Sequence, residues 1–157
     1  MLKTVPAAQL SDYVGKELGR SDWFPIDQSR VDAFAEATLD HQFIHVDAAR
    51  AAQTPFGGTI AHGFLTLSLI PHLSESVGVV PENVVMGINY GCDKLRFLQP
   101  VAVGSEVRLH SRLLSVSEKN EGQFLLKNEI TIEIRGQQKP ALVAEWLTMM
   151  ITAVEDQ

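Results

Sequence analysis

Cysteine is almost absent from this sequence, which contains a single one, Cys92, among 157 residues. One thiol excludes both an intrachain disulfide framework and a zinc site built from several cysteines. We interpret Cys92 as a small packed residue, because nothing in the neighbouring sequence marks its thiol as reactive. An excess of positive charge is also lacking, since 13 Lys and Arg stand against 19 Asp and Glu, a net charge of -6. With no basic stripe along the chain, this balance argues against a nucleic-acid partner.

The sequence also lacks any Asp, Glu, Lys or Arg from Ala51 to Ser74. Such a gap indicates a membrane span, a buried central element or a ligand pocket. A membrane-spanning helix needs roughly 20 predominantly apolar residues, and Pro55, Gly57 and Gly58 interrupt this stretch. The first ten residues contain one lysine and no apolar core of a signal peptide. We therefore expect no membrane partner and a cytoplasmic location.

What the sequence does contain is the composition of one globular domain, with 45% hydrophobic and 20% charged residues over the whole chain. Asp27 is placed to cap a helix that ends near Leu39, and Asp47 is placed to cap a second, short helix. The run Ile60–Val77 is apolar round most of its circumference. It predicts a buried helix, with a bend at Pro71.

A two-residue alternation of apolar and polar side chains follows in the second half of the chain, which is typical of strands with one solvent-exposed face. The predicted strands are Val84–Phe97, Val107–Arg112, Phe124–Arg135 and Ala141–Thr152. The buried helix needs a covering surface, and these strands supply one. The predicted fold is therefore α+β, a curved antiparallel β-sheet wrapped around a long central α-helix.

Groups able to move protons are concentrated in the segment Asp40–Asp47 (DHQFIHVD), at the exit of the first predicted helix. A second segment, Ile60–Phe64 (IAHGF), opens the buried helix. From the residues alone, Asp40 is as compatible with a cap of the turn as with catalysis, and His45 is as compatible with a structural histidine. His41 and His45 have the spacing of two metal ligands on a helix, but they straddle a predicted loop and no third ligand follows at a telling spacing. We expect no metal.

The order of these motifs resembles the MaoC-like family of (R)-specific enoyl-CoA hydratases, which have the hotdog fold. DHQFIHVD from Asp40, together with PFGGTIAHGF from Pro55, is most similar to the nodulation-protein-N-like branch. KLRF from Lys94, followed by PV and VGS, agrees in the same order. The resemblance spans roughly Trp23–Met150 and rests on three separated motifs.

The resemblance implies an enzyme that hydrates trans-2-enoyl thioesters to (R)-3-hydroxyacyl thioesters, or runs the reverse dehydration, on coenzyme A or acyl carrier protein. It implies that Asp40 and His45 hold a water molecule between them, and that the backbone N–H of Gly63 donates to the thioester oxygen. A glycine in the first turn of the helix suits this task, because N–H groups are free there and the carbonyl can approach closely. No cofactor is expected.

The sequence departs from the family pattern G-D-x-N-P-[LIV]-H at three positions, occupied here by Leu39, Gln42 and Phe43. Gln42 retains an amide and is expected to contact the substrate with a longer reach. Leu39 and Phe43 change the backbone freedom and the shape of the pocket, and so bear on the acyl-chain preference.

Four further residues are predicted to contact the substrate. Phe56 and His62 lie within the second motif, although a structural histidine at the helix start is the simpler interpretation of His62. Lys94 and Arg96 share one face of a predicted strand and have the charge to bind the phosphates of coenzyme A. A plain solvated strand face is the simpler explanation of these two cations.

Two other functions remain open. A thioesterase on the same fold also uses a carboxylate and a helix N-terminus, but hydrolyses the C–S bond. A non-catalytic subunit would retain the fold and bind acyl thioesters without turnover. The pair Asp40 and His45 beside the AHGF motif favours hydration. Hotdog domains that resemble this one pair their sheets edge to edge, so we expect a homodimer.

Overall fold

The structure is a computed structural model that describes residues 1–153. The strands β1 to β8 span Lys3–Val5, Glu17–Arg20, Phe24–Pro25, Val79–Pro81, Val84–Phe97, Glu106–Asn120, Gln123–Ile134 and Leu142–Thr152. The helices α1 to α5 span Gln28–Thr38, Phe43–Val46, Ala48–Ala51, Gly63–Ser68 and Ile70–Ser74, and a 3₁₀-helix covers Ala7–Tyr13. None of the helices between residues 1 and 153 has the length and apolar character needed to cross a lipid bilayer.

Six strands form one antiparallel sheet in the order β2-β6-β7-β8-β5, with β3 also paired to β6. Strands β1 and β4 form a separate parallel pair. The two-residue alternation directs Val107, Leu109, Ile130 and Ile132 into the core, where each is at most 1% exposed. There they pack against the helices, so the structure confirms the predicted sheet wrapped on helices.

Helix α1 begins and ends where the sequence predicts. The carboxylate of Asp27 accepts a hydrogen bond from the Arg30 N–H at 2.8 Å. At the other end, Leu39 adopts a left-handed conformation with a φ of 62°, which costs a residue with a side chain roughly 1–2 kcal/mol. This turn stops the helix and sends Asp40 away from its axis. The predicted cap of α3 is also confirmed, since the Asp47 carboxylate accepts from the Arg50 N–H at 3.0 Å.

The central helix is shorter and more exposed than the sequence predicts. The run Ile60–Val77 forms α4 and α5, which are interrupted at Leu69 because Pro71 has no N–H to donate to the carbonyl of Leu67. The buried side chains of this segment are Leu65, Thr66, Ile70 and Leu73 in the two helices and Leu69 between them. Phe64, by contrast, is 63% exposed, because the sheet of this chain covers only one side of the helical segment.

Strand β5 is an exposed edge of the sheet. It pairs with β8 on one side, and every residue in it except Leu95 is exposed. Its exposed large apolar side chains are Val84, Val85, Met86, Ile88, Tyr90 and Phe97. Cys92 lies on the same strand and is exposed, so the interpretation of this cysteine as a packed residue is wrong. The alternation of β5 indicated a strand but not whether anything in the chain covers it.

Candidate active site

Three of the predicted site residues meet between the end of α1, helix α2 and the start of α4. One oxygen or nitrogen atom from each of Asp40, His45 and His62 lies within 4.8 Å of the others. The two motifs are joined where the Ile60 N–H donates to the carbonyl of Ile44 at 3.0 Å. The Asp40 side chain is half-exposed, whereas His45 and His62 are buried. The site therefore has one carboxylate open to solvent above two buried imidazoles.

The orientation and protonation of His45 are fixed by its surroundings. Its Nδ1 lies 2.7 Å from the carbonyl oxygen of Ile60, so Nδ1 donates and Nε2 is left free to accept a proton. Burial lowers the pKa of His45 below the usual 6.5, and the neighbouring His62 lowers it further. The hydrogen bond to Ile60 and the charge of Asp40 oppose this shift without reversing it. His45 is consequently neutral at pH 7, with an available Nε2.

His62 contacts both predicted catalytic residues, Asp40 and His45. Its ring stacks on that of His45 with centroids 3.8 Å apart, and the ring of Phe34 packs against the His62 ring at a centroid distance of 5.0 Å. Its Nε2 lies 2.9 Å from the backbone carbonyl of Asp40 and donates to it, while its Nδ1 has no partner among residues 1–153. With 3% of its surface exposed, His62 offers a substrate almost no contact. The structural interpretation fits this position better than the predicted substrate contact does.

Gln28, which the sequence analysis did not single out, holds α2 in place. Its amide nitrogen donates to the backbone carbonyl of His45 at 2.7 Å and to the Asp32 carboxylate at 2.8 Å. Its amide oxygen accepts from the Thr59 hydroxyl at 2.6 Å. Gln28 lies 17 residues before His45 in the chain, and no local pattern in the sequence links the two.

Gly63 and His45 border the same cavity. The cavity has a volume of about 140 Å³ and is otherwise lined mainly by apolar side chains, Phe97 among them. Gly63 is the first residue of α4, where the helix leaves its N–H groups without intrahelical acceptors. A Cβ atom at this position would lie 3.0 Å from the ring of Phe97. A larger residue here would require the Phe97 ring to shift by a few tenths of an ångström.

Two predicted contacts, Gln42 and Phe56, are exposed on the surface. Gln42 precedes α2, makes no side-chain cap, and has its N–H 3.4 Å from a carboxylate oxygen of Asp40. Phe56 is 45% exposed on the loop before α4. Both side chains are accessible to a ligand.

Lys94 and Arg96 are arranged differently from the prediction. A β-bulge between Asp93 and Arg96 breaks the two-residue alternation, and Lys94 has a φ of 50°. Lys94 forms an ion pair with Glu145 of the neighbouring strand, which already neutralises its charge. Arg96 is exposed and donates to the carbonyl of Leu95. A bulge has no signature in the alternation itself, so these two cations could not be placed from the sequence.

The metal-ligand pair that the sequence raised as an alternative, His41 with His45, does not form. His41 is exposed and contacts Glu36 at 2.8 Å. Within residues 1–153, the groups close enough to share an ion are those of Asp40, His45 and His62. His62 Nε2 donates a hydrogen bond to the Asp40 carbonyl, so this nitrogen is not a ligand atom while that bond is kept.

The sequence of this chain is similar to a known protein family and to named proteins. Residues 9–133 match the family model "MaoC like domain". The chain is 49% identical to 3-hydroxyacyl-thioester dehydratase Z of Mycobacterium tuberculosis over 88% of this chain and 91% of that protein. It is 45% identical to Nodulation protein N of Rhizobium leguminosarum bv. viciae over 91% and 89% of the two chains.

Among solved structures, an (R)-hydratase from A. caviae involved in PHA biosynthesis aligns with a TM-score of 0.69. The two chains are 27% identical, and the alignment covers 86% of this chain and 94% of that one. This likeness confirms the predicted hotdog fold. Since the family model covers most of the chain and two relatives are nearly half identical along most of their length, the chain belongs to the MaoC-like family, with Nodulation protein N among its near relatives.

Proposed function

We propose that the protein hydrates trans-2-enoyl thioesters to (R)-3-hydroxyacyl thioesters and catalyses the reverse dehydration, with coenzyme A or acyl carrier protein as the carrier. The observation that carries this proposal is the pairing of a neutral His45 with Asp40, beside a cavity that Gly63 lines. The relative named 3-hydroxyacyl-thioester dehydratase Z supports the same chemistry. A cytoplasmic location stays a prediction from the sequence.

The reaction needs a base, an acid and a donor for the developing oxyanion. In the hydration direction, a water molecule held between Asp40 and His45 Nε2 adds its oxygen to C3 and gives up a proton to this pair. The electrons of the C2=C3 bond move toward the thioester carbonyl, whose oxygen accepts a hydrogen bond from the Gly63 N–H. A proton from the pair then goes to C2. Water is consumed and the pair returns to its starting state, so no redox partner is involved.

The test is the turnover of crotonyl-CoA, followed by loss of the ultraviolet absorbance of the enoyl thioester. We expect Asp40→Asn to keep the fold and to lose roughly 10²–10⁴ in kcat, the typical contribution of a general acid–base group. Asp12→Asn, an exposed carboxylate on the 3₁₀-helix, is the matched control and should retain full turnover. Near wild-type turnover by Asp40→Asn would refute the mechanism, and chiral analysis of the product tests the (R) configuration.

The same assay separates the competing functions. Release of free thiol without loss of the enoyl absorbance would identify a thioesterase, and tight acyl-CoA binding without turnover would identify a non-catalytic subunit. Gln42, Phe56, Lys94 and Arg96 stay predicted substrate contacts. Single alanine variants that raise KM without changing kcat would support their roles.

The expected homodimer is proposed to form through β5. The outer edge of this 14-residue strand has no partner strand within residues 1–153, and its apolar side chains are exposed beside Phe64. An unpaired apolar edge of this length favours pairing with another copy. Light scattering should give twice the chain mass for the wild type and a monomer for Val85→Lys. Val14→Lys, at a 43%-exposed valine that follows the 3₁₀-helix, should leave the dimer intact, and a wild-type monomer would exclude this interface.

A further inference from the structure

A second cavity, far from the catalytic pair, lies between the inner face of the sheet and the segment from α5 to β4. It has a volume of about 190 Å³ and is bordered by Pro71 and Ser74 on the helical side. A neighbouring cavity of about 380 Å³ shares Pro71, Asn89 and Trp146 with it and reaches Ser68 on α4. We call the first of these the inner cavity.

The cavities follow one another along the central helices. The catalytic cavity is lined by Gly63 and Thr66, the middle one reaches from Leu67 to Pro71, and the inner cavity continues to Ser74. At a rise of about 1.5 Å per residue, the helical segment from Gly63 to Ser74 is about 16 Å long. An extended acyl chain whose thioester lies at Gly63 would point along this row.

The inner cavity is where the sheet places polar groups on its otherwise apolar inner face. On β6, β7 and β8, the inward positions near the cavity are apolar except for one hydroxyl or amide residue each, and β5 adds another. These residues are Asn89, Ser111, Asn128 and Thr148. Their positions on four adjacent strands bring them together, because Asn89 is directly opposite Thr148 and Asn128 is two positions from the residue that faces Thr148.

The polar atoms of these four side chains line the cavity and are not sealed off without a partner, since His62 Nδ1 is the one such buried atom found among residues 1–153. Ser111 is 3% exposed and Thr148 is 7% exposed, whereas Asn128 is half-buried and Asn89 is exposed. Buried polar groups without partners are costly, and native structures satisfy them with protein, ordered water or a ligand. Water in the inner cavity, or a ligand oxygen that displaces it, can therefore form hydrogen bonds with this group.

We propose that the inner cavity binds the distal part of an acyl group that carries a hydrogen-bonding oxygen, such as a hydroxyl, ether or keto group. This inference rests on the proposed function, because it takes the acyl thioester as the ligand. A cavity of about 190 Å³ has room for about six water molecules at ~30 Å³ each. An oxygenated acyl chain replaces the hydrogen bonds of the water that it displaces, whereas a plain alkyl chain does not.

The experiment compares pairs of enoyl-CoAs of equal chain length that differ by one oxygen, placed at successive distal positions. We expect kcat/KM to favour the oxygenated member by about tenfold for at least one position. Thr148→Val and Asn128→Leu should each remove most of this preference. Met150→Leu, which changes an apolar lining residue of the same cavity, is the matched control and should keep it.

Crotonyl-CoA is too short to reach the inner cavity, so its turnover tests the proposed function separately. All three variants should hydrate crotonyl-CoA at the wild-type rate. If the wild type hydrates crotonyl-CoA but discriminates between no pair, or if Thr148→Val and Asn128→Leu retain the preference, the inference is wrong. If crotonyl-CoA is not hydrated at all, the proposed function fails. Calorimetric Kd values for the saturated acyl-CoA pairs then decide the inference by the same comparison.

Discussion

The two ends of the row of cavities hold their polar groups in opposite ways. At the catalytic end, the His45 ring donates a hydrogen bond to the backbone carbonyl of Ile60. The His62 ring donates one to the backbone carbonyl of Asp40. At the inner end, Thr148 and three other polar side chains line a cavity. Fixed groups suit chemistry, which needs donors and acceptors set before the substrate arrives. Polar groups that line a cavity suit selection, because a ligand oxygen can replace the water that bonds to them.

The largest loss of activity at the catalytic end is expected from His45→Gln. Glutamine fills part of the same space and retains a hydrogen-bonding group, but it cannot accept a proton as imidazole does. We expect kcat to fall by roughly 10²–10⁴ with KM little changed, measured in steady state on crotonyl-CoA. His72→Gln, at an exposed histidine on α5, should be indistinguishable from the wild type. A loss of less than tenfold for His45→Gln would mean that Asp40 works without this imidazole.

The pH dependence tests whether His45 acts in its neutral form. Its pKa lies below the usual 6.5, mainly because it is buried. The value of kcat/KM should therefore be constant near neutral pH and fall about tenfold per pH unit once the pH is below that pKa. Because the folded protein binds this proton less readily than the unfolded chain, the free energy of unfolding should also decline as the pH drops below about 6.5. An acidic limb centred above pH 7 would contradict this assignment.

The smallest expected effects come from two substitutions that each remove one contact of His62. His62→Phe keeps an aromatic ring against His45 but loses the hydrogen bond to the Asp40 carbonyl, whereas His62→Gln keeps a donor and loses the ring. Each should lower kcat by about threefold, which is below 1 kcal/mol. In His62→Gln the pKa of His45 should rise, because a neighbouring imidazole that lowers it is gone, and the acidic limb should move to higher pH. A purely structural His62 would change thermal stability without moving the limb.

Features set by short-range patterns could be predicted from the sequence. Helix α1 lies between Asp27 and Leu39 as expected, because a cap and a helix end depend on neighbouring residues. The long strands were also predicted, since burial of one face imposes a two-residue period. The approach of Asp40 to His45 follows from their closeness in the chain, and their meeting with His62 agrees with the order of the two motifs.

Features set by contacts across the fold could not be predicted. The hydrogen bond from Gln28 to the His45 carbonyl on α2 joins residues that are far apart in the sequence. The outward face of Phe64 and the exposure of Cys92 depend on which side of an apolar element the chain itself covers. The bulge beside Lys94 changes a register without changing the composition. The polar group around Thr148 appears only when four strands are placed side by side.

The position of Trp146 gives the protein an internal optical reporter. This indole borders both the middle and the inner cavity, and the other tryptophan of the chain, Trp23, lies elsewhere, against Arg108 at 4.4 Å. In a Trp23→Phe variant, all tryptophan emission would arise from beside the middle and inner cavities. A ligand in these cavities would change the polarity around the indole and shift the emission maximum. Ligand binding could then be followed by fluorescence without turnover.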